Sequence, residues 1–199
     1  MNQAEKKWLK ILEDELEKEM NKAPSVVSSH DIHHIGRVWK NVKQTAESMN
    51  VDWEVLIAAT FLHDLGRHYP KGVGEHGPIS APLAKKILER VDFPTDKIEN
   101  VIISIKYHDE SFPSDKRTTQ ESKVLYDADK LDMFGAVGVS RYLIFYAMRN
   151  KTLKETVEYA LKNLPLRFNR LEFDKTKKFA EPNFEFALQY FKKLKQEID

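Results

Sequence analysis

The sequence predicts an all-α protein built around a single core. Apolar residues recur at three- and four-residue spacing through most of the chain, and strict strand alternation is hard to find anywhere. One run, Val55 to Leu62, is apolar nearly all round, as a buried central helix must be. A length of 199 residues with 41% hydrophobic content suits one ordinary domain over 1–199, and no low-complexity stretch divides it.

The elements follow in order. Residues 1–20 alternate charged residues with Trp8, Leu9, Leu12, Leu16 and Met20, which makes an amphipathic helix and not a signal peptide. Ala23-Pro24-Ser25 breaks that pattern, and a second helix carries Ile35, Val38, Trp39, Val42, Ala46 and Met49, with His34 one turn before Val38. Asp52 is the expected N-cap of the third helix and Gly66 its C-terminal stop. Residues 67–79 read as a Gly/Pro-rich connection long enough to cover or line a pocket. Ser80 is expected to cap the next helix, with Pro82 in its first turn, and Thr95 to cap one that carries Ile98, Val101, Ile102 and Ile105 toward His108. After a polar segment at 111–119, Val124, Leu125, Ala128 and Leu131 mark another helix, followed by the small residues of Gly135-Ala136-Val137-Gly138 and the aromatic run from Tyr142 to Tyr146. A helix from about Thr152, an irregular stretch at 165–174, and a last amphipathic helix started or kinked by Pro182 complete the chain.

Composition excludes several function classes. The 32 Lys+Arg and 31 Asp+Glu leave a formal charge of +1, so there is no global attraction to nucleic acid or to an anionic membrane, and any phosphate preference must be local. The absence of cysteine removes disulfides, thiolate metal sites and cysteine nucleophiles. No apolar run approaches the roughly 20 residues that span a bilayer. A cytoplasmic, soluble protein is therefore the expectation.

His63-Asp64 closes the apolar third helix, where neither side chain has an evident packing role. Upstream lies Asp31-Ile32-His33-His34, and downstream Asp127-Ala128-Asp129-Lys130-Leu131-Asp132. Taken together, His34, His63, Asp64 and Asp129 supply two nitrogens and two carboxylates. That set suits a divalent ion and leaves room on a six-coordinate one for water and a substrate oxygen. Helix neighbours diverge by about 100°, so His63 and Asp64 reach one ion only near a helix end. Their place just before Gly66 meets that condition.

These segments resemble the HD superfamily of metal-dependent phosphohydrolases. The resemblance spans about Ser28 to Arg141 and rests on Ser29-His30-Asp31-Ile32-His33-His34-Ile35-Gly36-Arg37-Val38, then Phe61-Leu62-His63-Asp64-Leu65-Gly66-Arg67, then His76-Gly77-Pro78-Ile79-Ser80-Ala81, then Asp127 to Asp132 with Gly135 to Gly138. It implies the family's orthogonal helical bundle, with the motif-bearing core at about 28–141 and a helical C-terminal extension. It also implies the metal ligands His34, His63, Asp64 and Asp129. His34 is preferred over His33 because Ile-Gly-Arg-Val follows it, and Asp129 over Asp127 and Asp132 because it precedes Lys130-Leu131. The chain is most similar to small stand-alone bacterial and archaeal members, some of which cleave nucleotides. Two-metal members use additional histidines, often a doublet where this chain has His108-Asp109. That departure favours one divalent ion (Mn, Fe, Co, Ni, Zn or Mg) over two, with His76 and His108 then supporting the metal ligands, contacting phosphate or moving protons. His68 reads as a surface residue.

The activity implied is hydrolysis of a nucleotide or another small phosphate ester or anhydride, with phosphomonoester, phosphodiester and pyrophosphate cleavage all open. Asp64 would orient or deprotonate the attacking water as well as ligate. Arg37, one turn from His34, is the first choice to face developing negative charge, ahead of Arg67 and Lys130, which read as ordinary exposed side chains. The expected partner is a small phosphorylated substrate, foremost a nucleotide, without membrane or nucleic acid. Aromatic clusters such as Tyr142, Phe145 and Tyr146 read as core, with a remainder that could support a homodimer. The alternative function is a catalytically weak nucleotide-binding regulatory module of the same fold.

Overall fold

The structure is a computed structural model that describes residues 2–22, 31–68 and 76–199. They form the helices α1 (Gln3–Lys22), α2 (Ile32–Thr45), α3 (Trp53–Leu62), α4 (His76–Arg90), α5 (Thr95–Lys106), α6 (Gln120–Leu131), α7 (Gly135–Ala147), α8 (Leu153–Asn169) and α9 (Asp174–Ile198), with 3-10 turns at Leu65–His68 and Ser114–Lys116. No strand occurs among the described residues, so the all-α expectation is met. The chain divides into two compact units, Met1–Ala128 and Asp129–Asp199. Ala23-Pro24-Ser25, the opening Ser28 to His30 of the first motif, and residues 69–75 lie outside the described residues.

In the first unit α3 is central and touches α1, α2 and α5. Every residue from Val55 to Leu62 is buried. Removing each Val-, Leu- or Phe-sized side chain from water stabilises by about 1.5–3 kcal/mol, which is why this all-apolar helix occupies the middle. Asp52 caps it, accepting from the backbone N–H groups of Glu54 at 2.9 Å and Val55 at 3.3 Å. Asp31 caps α2 the same way, accepting from the His34 N–H at 2.9 Å. From α1, Trp8, Leu12 and Leu16 point inward, and Trp8 meets Phe93 edge-on with ring centroids 4.8 Å apart.

Several boundaries differ from the sequence reading. Helix α4 is already in place at His76, so Ser80 does not cap it and instead accepts from the Gly66 N–H at 2.8 Å. Pro82 falls in the second turn, at an exposed position. The cap position of α5 is Pro94, and Thr95 is the first helical residue. Gly66 does not stop α3, which closes at Leu62 with His63 as C-cap; it lies in the 3-10 turn.

The second unit packs α7, α8 and α9 around Phe134, Tyr142, Leu164, Phe184 and Phe191. Phe168 and Phe184 stack with centroids 4.3 Å apart. Thr152 and Glu155 form a capping box at the start of α8. Buried Arg167 donates to the Tyr142 and Tyr159 hydroxyls. Here too the expected boundaries moved. Helix α8 runs through Pro165 to Asn169, and α9 begins eight residues before Pro182. The burial of Leu164, Ala180, Phe184, Ala187 and Phe191 at helical spacing outweighs one missing hydrogen bond per proline. No helix among the described residues is long and apolar enough to cross a membrane.

Candidate metal centre

Side chains from four places in the first unit converge on Asp64, which is 3% exposed where α3 hands over to the 3-10 turn. Its Oδ2 lies 3.5 Å from His34 Nε2 and 3.6 Å from His63 Nε2. Its Oδ1 lies 2.9 Å from Arg67 Nε, 3.1 Å from His76 Nε2 and 3.7 Å from His108 Nε2. All four imidazoles are buried. His34 comes from the first turn of α2, His63 from the cap of α3, His76 from the start of α4 and His108 from just beyond α5. His33, beside His34, is exposed.

The second ring nitrogen fixes how three of these rings are presented. His63 Nδ1 donates to the Thr60 carbonyl at 2.8 Å, His108 Nδ1 to the Ile105 carbonyl at 2.6 Å, and His76 Nδ1 to Asp109 Oδ2 at 2.9 Å. Carbonyls and carboxylates only accept, so Nδ1 carries the proton in each, and the Nε2 of a neutral ring turns its lone pair toward Asp64. Metal-binding histidines are held in this manner. His76 Nε2 and His108 Nε2 are themselves 2.7 Å apart.

Two glycines allow this convergence. A Cβ on Gly66 would stand 2.7 Å from the His76 carbonyl oxygen, and one on Gly77 would stand 2.6 Å from that of Lys106. The first turn of α4 is therefore clamped between the exit of α3 and the end of α5, and His76 is delivered to the cluster from that position.

A divalent ion fits the donor set. Asp64 Oδ2 is buried and accepts no hydrogen bond among the described residues, a costly state for a carboxylate oxygen that a cation relieves. His63, Asp64 and His108 each offer a ligand atom, all within 4.8 Å of one another. Two donors bound at about 2.1 Å to one ion lie at most about 4.2 Å apart, so a small inward movement suffices. Nitrogen and oxygen donors without sulfur suit a borderline or hard ion. Burial pushes the Asp64 carboxyl up, but Arg67, His63 and His76 outweigh it and hold the group well below the usual carboxylate range. Burial and Arg67 push the His76 imidazole down, while Asp64 and Asp109 more than offset them and leave it raised.

The remaining predicted residues are placed as follows. Arg37 is half-buried on α2, one turn after His34. Asp129 is 7% exposed near the end of α6 and accepts from Lys130 Nζ at 2.8 Å. The preceding Ala128 carbonyl accepts from Asn41 Nδ2, two turns beyond His34 on α2, at 3.0 Å. Asp127 is fully buried, and Asp132 pairs with Arg141 at 2.8 Å. Three residues read as exposed are not: Arg67 is bound to Asp64, Lys130 is 5% exposed against Asp129, and His68 is buried in the 3-10 turn. Sequence reasoning also missed Asp109, for which Ser111 two residues on was an available signal of an Asx turn.

Comparison with known proteins decides the family. The HD domain profile matches residues 31–133, which is more than half of the chain. The chain belongs to the HD family. Among relatives of this HD protein, the uncharacterized protein YpgQ of Bacillus subtilis is 24% identical over 182 residues, 86% of this chain and 85% of YpgQ. The crystal structure of YpgQ in complex with ADP superimposes with a TM-score of 0.76, covering 98% of this chain and 96% of that one at 24% identity. A Lactobacillus plantarum protein gives 0.78 at 17% identity, covering 99% and 98%. A predicted HD superfamily hydrolase from an uncultured Thermotogales bacterium gives 0.64 at 23% identity over the full length of both. At these identities the likenesses show a shared fold.

Proposed function

We propose that this HD protein is a metal-dependent phosphohydrolase that cleaves a nucleotide or another small phosphate ester or anhydride. The observation that carries the reading is the set of Nε2 atoms turned onto one buried carboxylate, Asp64, with Nδ1 of three of the rings already committed elsewhere. One divalent ion would be held by His34, His63, Asp64 and Asp129. When bound, such an ion supplies Lewis acidity toward a phosphoryl oxygen and makes water acidic enough to act as a nucleophile near neutral pH.

The protein's own residues do the rest. The Asp64 carboxylate is held in its charged form, which suits it to anchor the ion and to orient the attacking water. Arg67 holds Oδ1 of that carboxylate in place. Arg37, on the helix that carries His34, meets the charge that builds on the phosphate. His76 and His108 would contact phosphate or pass a proton to the leaving group. That YpgQ was crystallised with ADP supports a nucleotide as the ligand here, and it fits binding without turnover as well as hydrolysis. A panel of nucleoside mono-, di- and triphosphates with Mn, Ni, Co and Mg separates the two. Released phosphate or pyrophosphate, lost in Asp64→Ala, supports the hydrolase. Nucleotide-dependent stabilisation with no product makes the chain a regulatory module.

A further inference from the structure

Asp109 is a buried carboxylate beside the cluster to which the proposed chemistry gives no task; it is 8% exposed and directly follows His108. Its two oxygens are committed in different directions. Oδ2 receives His76 Nδ1–H at 2.9 Å, and Oδ1 receives both the backbone N–H and the hydroxyl of Ser111, each at 2.8 Å. The surrounding segment is tied down independently of His76. Phe112 N–H bonds to the Asp109 carbonyl at 3.3 Å, while buried Arg117 donates to the Tyr107 and Phe112 carbonyls at 3.2 and 3.3 Å and lies 3.8 Å over the Tyr126 ring.

A buried carboxylate is retained at a cost unless a specific partner uses it. That partner is an imidazole whose neighbours in the cluster are oriented by other means. His63 and His108 donate Nδ1–H to the carbonyl three residues earlier, those of Thr60 and Ile105. His76 opens α4 among the described residues, and its acceptor comes from across the cluster. The Asp109 bond selects one orientation and one tautomer of the ring. With it, Nδ1 must be the N–H, and Nε2 is the atom placed 3.1 Å from Asp64 Oδ1 and 2.7 Å from His108 Nε2.

We infer that Asp109 is the positioning residue of His76: clamped by Ser111, its carboxylate fixes Nδ1 of the ring as a donor and so presents Nε2 to Asp64 and His108. The inference deepens the hydrolase reading, and its kinetic arm rests on that reading while its spectroscopic arm does not.

Long-range proton–nitrogen correlation on protein with 15N-labelled histidine reports which ring nitrogen holds the proton, and the His76 signals are assigned by their loss in His76→Gln. With Zn2+ added, wild-type His76 is expected to show a slowly exchanging proton on Nδ1. Asp109→Ala should abolish that protection, and Asp109→Asn, whose amide oxygen accepts the same bond, should restore it. Ser111→Ala should speed exchange with the bond still present, which keeps the test alive if Asp109→Ala folds poorly. In the kinetic arm kcat falls by about 10- to 100-fold in Asp109→Ala at unchanged KM and recovers in part in Asp109→Asn. A wild-type His76 without a proton on Nδ1, or one whose signals are unmoved by both Asp109→Ala and Ser111→Ala, overturns the assignment. Absence of turnover on every phosphate compound, with the signals behaving as described, overturns the hydrolase reading and leaves Asp109 in its role.

Discussion

Gly77→Ala puts the assembly of the cluster under the most specific strain. A new Cβ at position 77 would stand 2.6 Å from the Lys106 carbonyl oxygen and 2.9 Å from that of Ile105, whereas ordinary contact begins near 3.4 Å. The shortfalls are therefore 0.8 and 0.5 Å, and both obstacles are backbone at the end of α5, which cannot swing aside as a flexible side chain would. Overpacking of this kind costs about 1–3 kcal/mol. At about 2–4 °C per kcal/mol for a chain of this size, the melting temperature should fall by roughly 2–12 °C. The displacement also falls directly on His76, and a misplacement approaching 1 Å costs on the order of 100-fold in turnover. Gly36→Ala is the paired control, since a Cβ there meets nothing within 4 Å on an exposed position of α2. That change should stabilise by about 0.5–1 kcal/mol through helix propensity. Thermal unfolding by circular dichroism with an activity assay on both variants decides the matter. A Gly77→Ala protein with wild-type melting temperature and turnover, or one no worse than Gly36→Ala, refutes the clamped approach of α4 to α5.

Three further outcomes follow from the same geometry. His63→Ala and Asp64→Ala should each lower phosphate release by roughly 100-fold or more while far-UV circular dichroism stays helical, since a ligand matters at least as much as the groups that orient it; full turnover in either variant contradicts the site. In metal-free protein the raised His76 contributes stability fully below its unfolded value of about 6.5 and loses it as pH rises through the folded value, so the gap in urea midpoint between wild type and His76→Gln should narrow from about pH 6 upward. A gap that widens over that range has the wrong sign. Thr152→Ala removes the capping box of α8 and should cost about 1 kcal/mol, or about 2–4 °C, without altering kcat; an equal loss of activity would mean that this cap serves the site.

What could be read from the sequence was mainly what local chemistry determines. Asp52 is a cap because its side chain bonds to the N–H groups two and three residues on, a relation visible in any window of that length, and Asp31 makes the same kind of bond although the sequence reading did not assign it. The all-round apolar run at 55–62 announced its own burial. The errors arose where distant packing overrode local preference. Pro165 sits inside α8 and Pro182 does not start α9 because burial along the rest of each helix exceeds the loss at one carbonyl, and Pro82 lies a turn further into α4 than expected because that helix is already in place at His76. Ser80 was assigned to a cap because nothing local revealed that its hydroxyl serves Gly66, fourteen residues earlier. The charged residues show the same limit. Arg67 and Lys130 stand only three residues and one residue from the carboxylates they pair with, and what the local sequence did not reveal is that Asp64, Asp129 and Lys130 are buried by the fold. Asp109 went unrecognised because its partner, His76, lies thirty-three residues away and reaches it only through the close approach of α4 to α5.

The central claim is that Asp64 and the histidines around it form a divalent-metal site. Calorimetric titration of metal-stripped protein with Mn2+ tests it most directly. The account predicts saturable binding of one ion per chain in the wild type and its loss in both His63→Ala and Asp64→Ala; no binding to the wild type, or binding that survives unchanged in those variants, would contradict it.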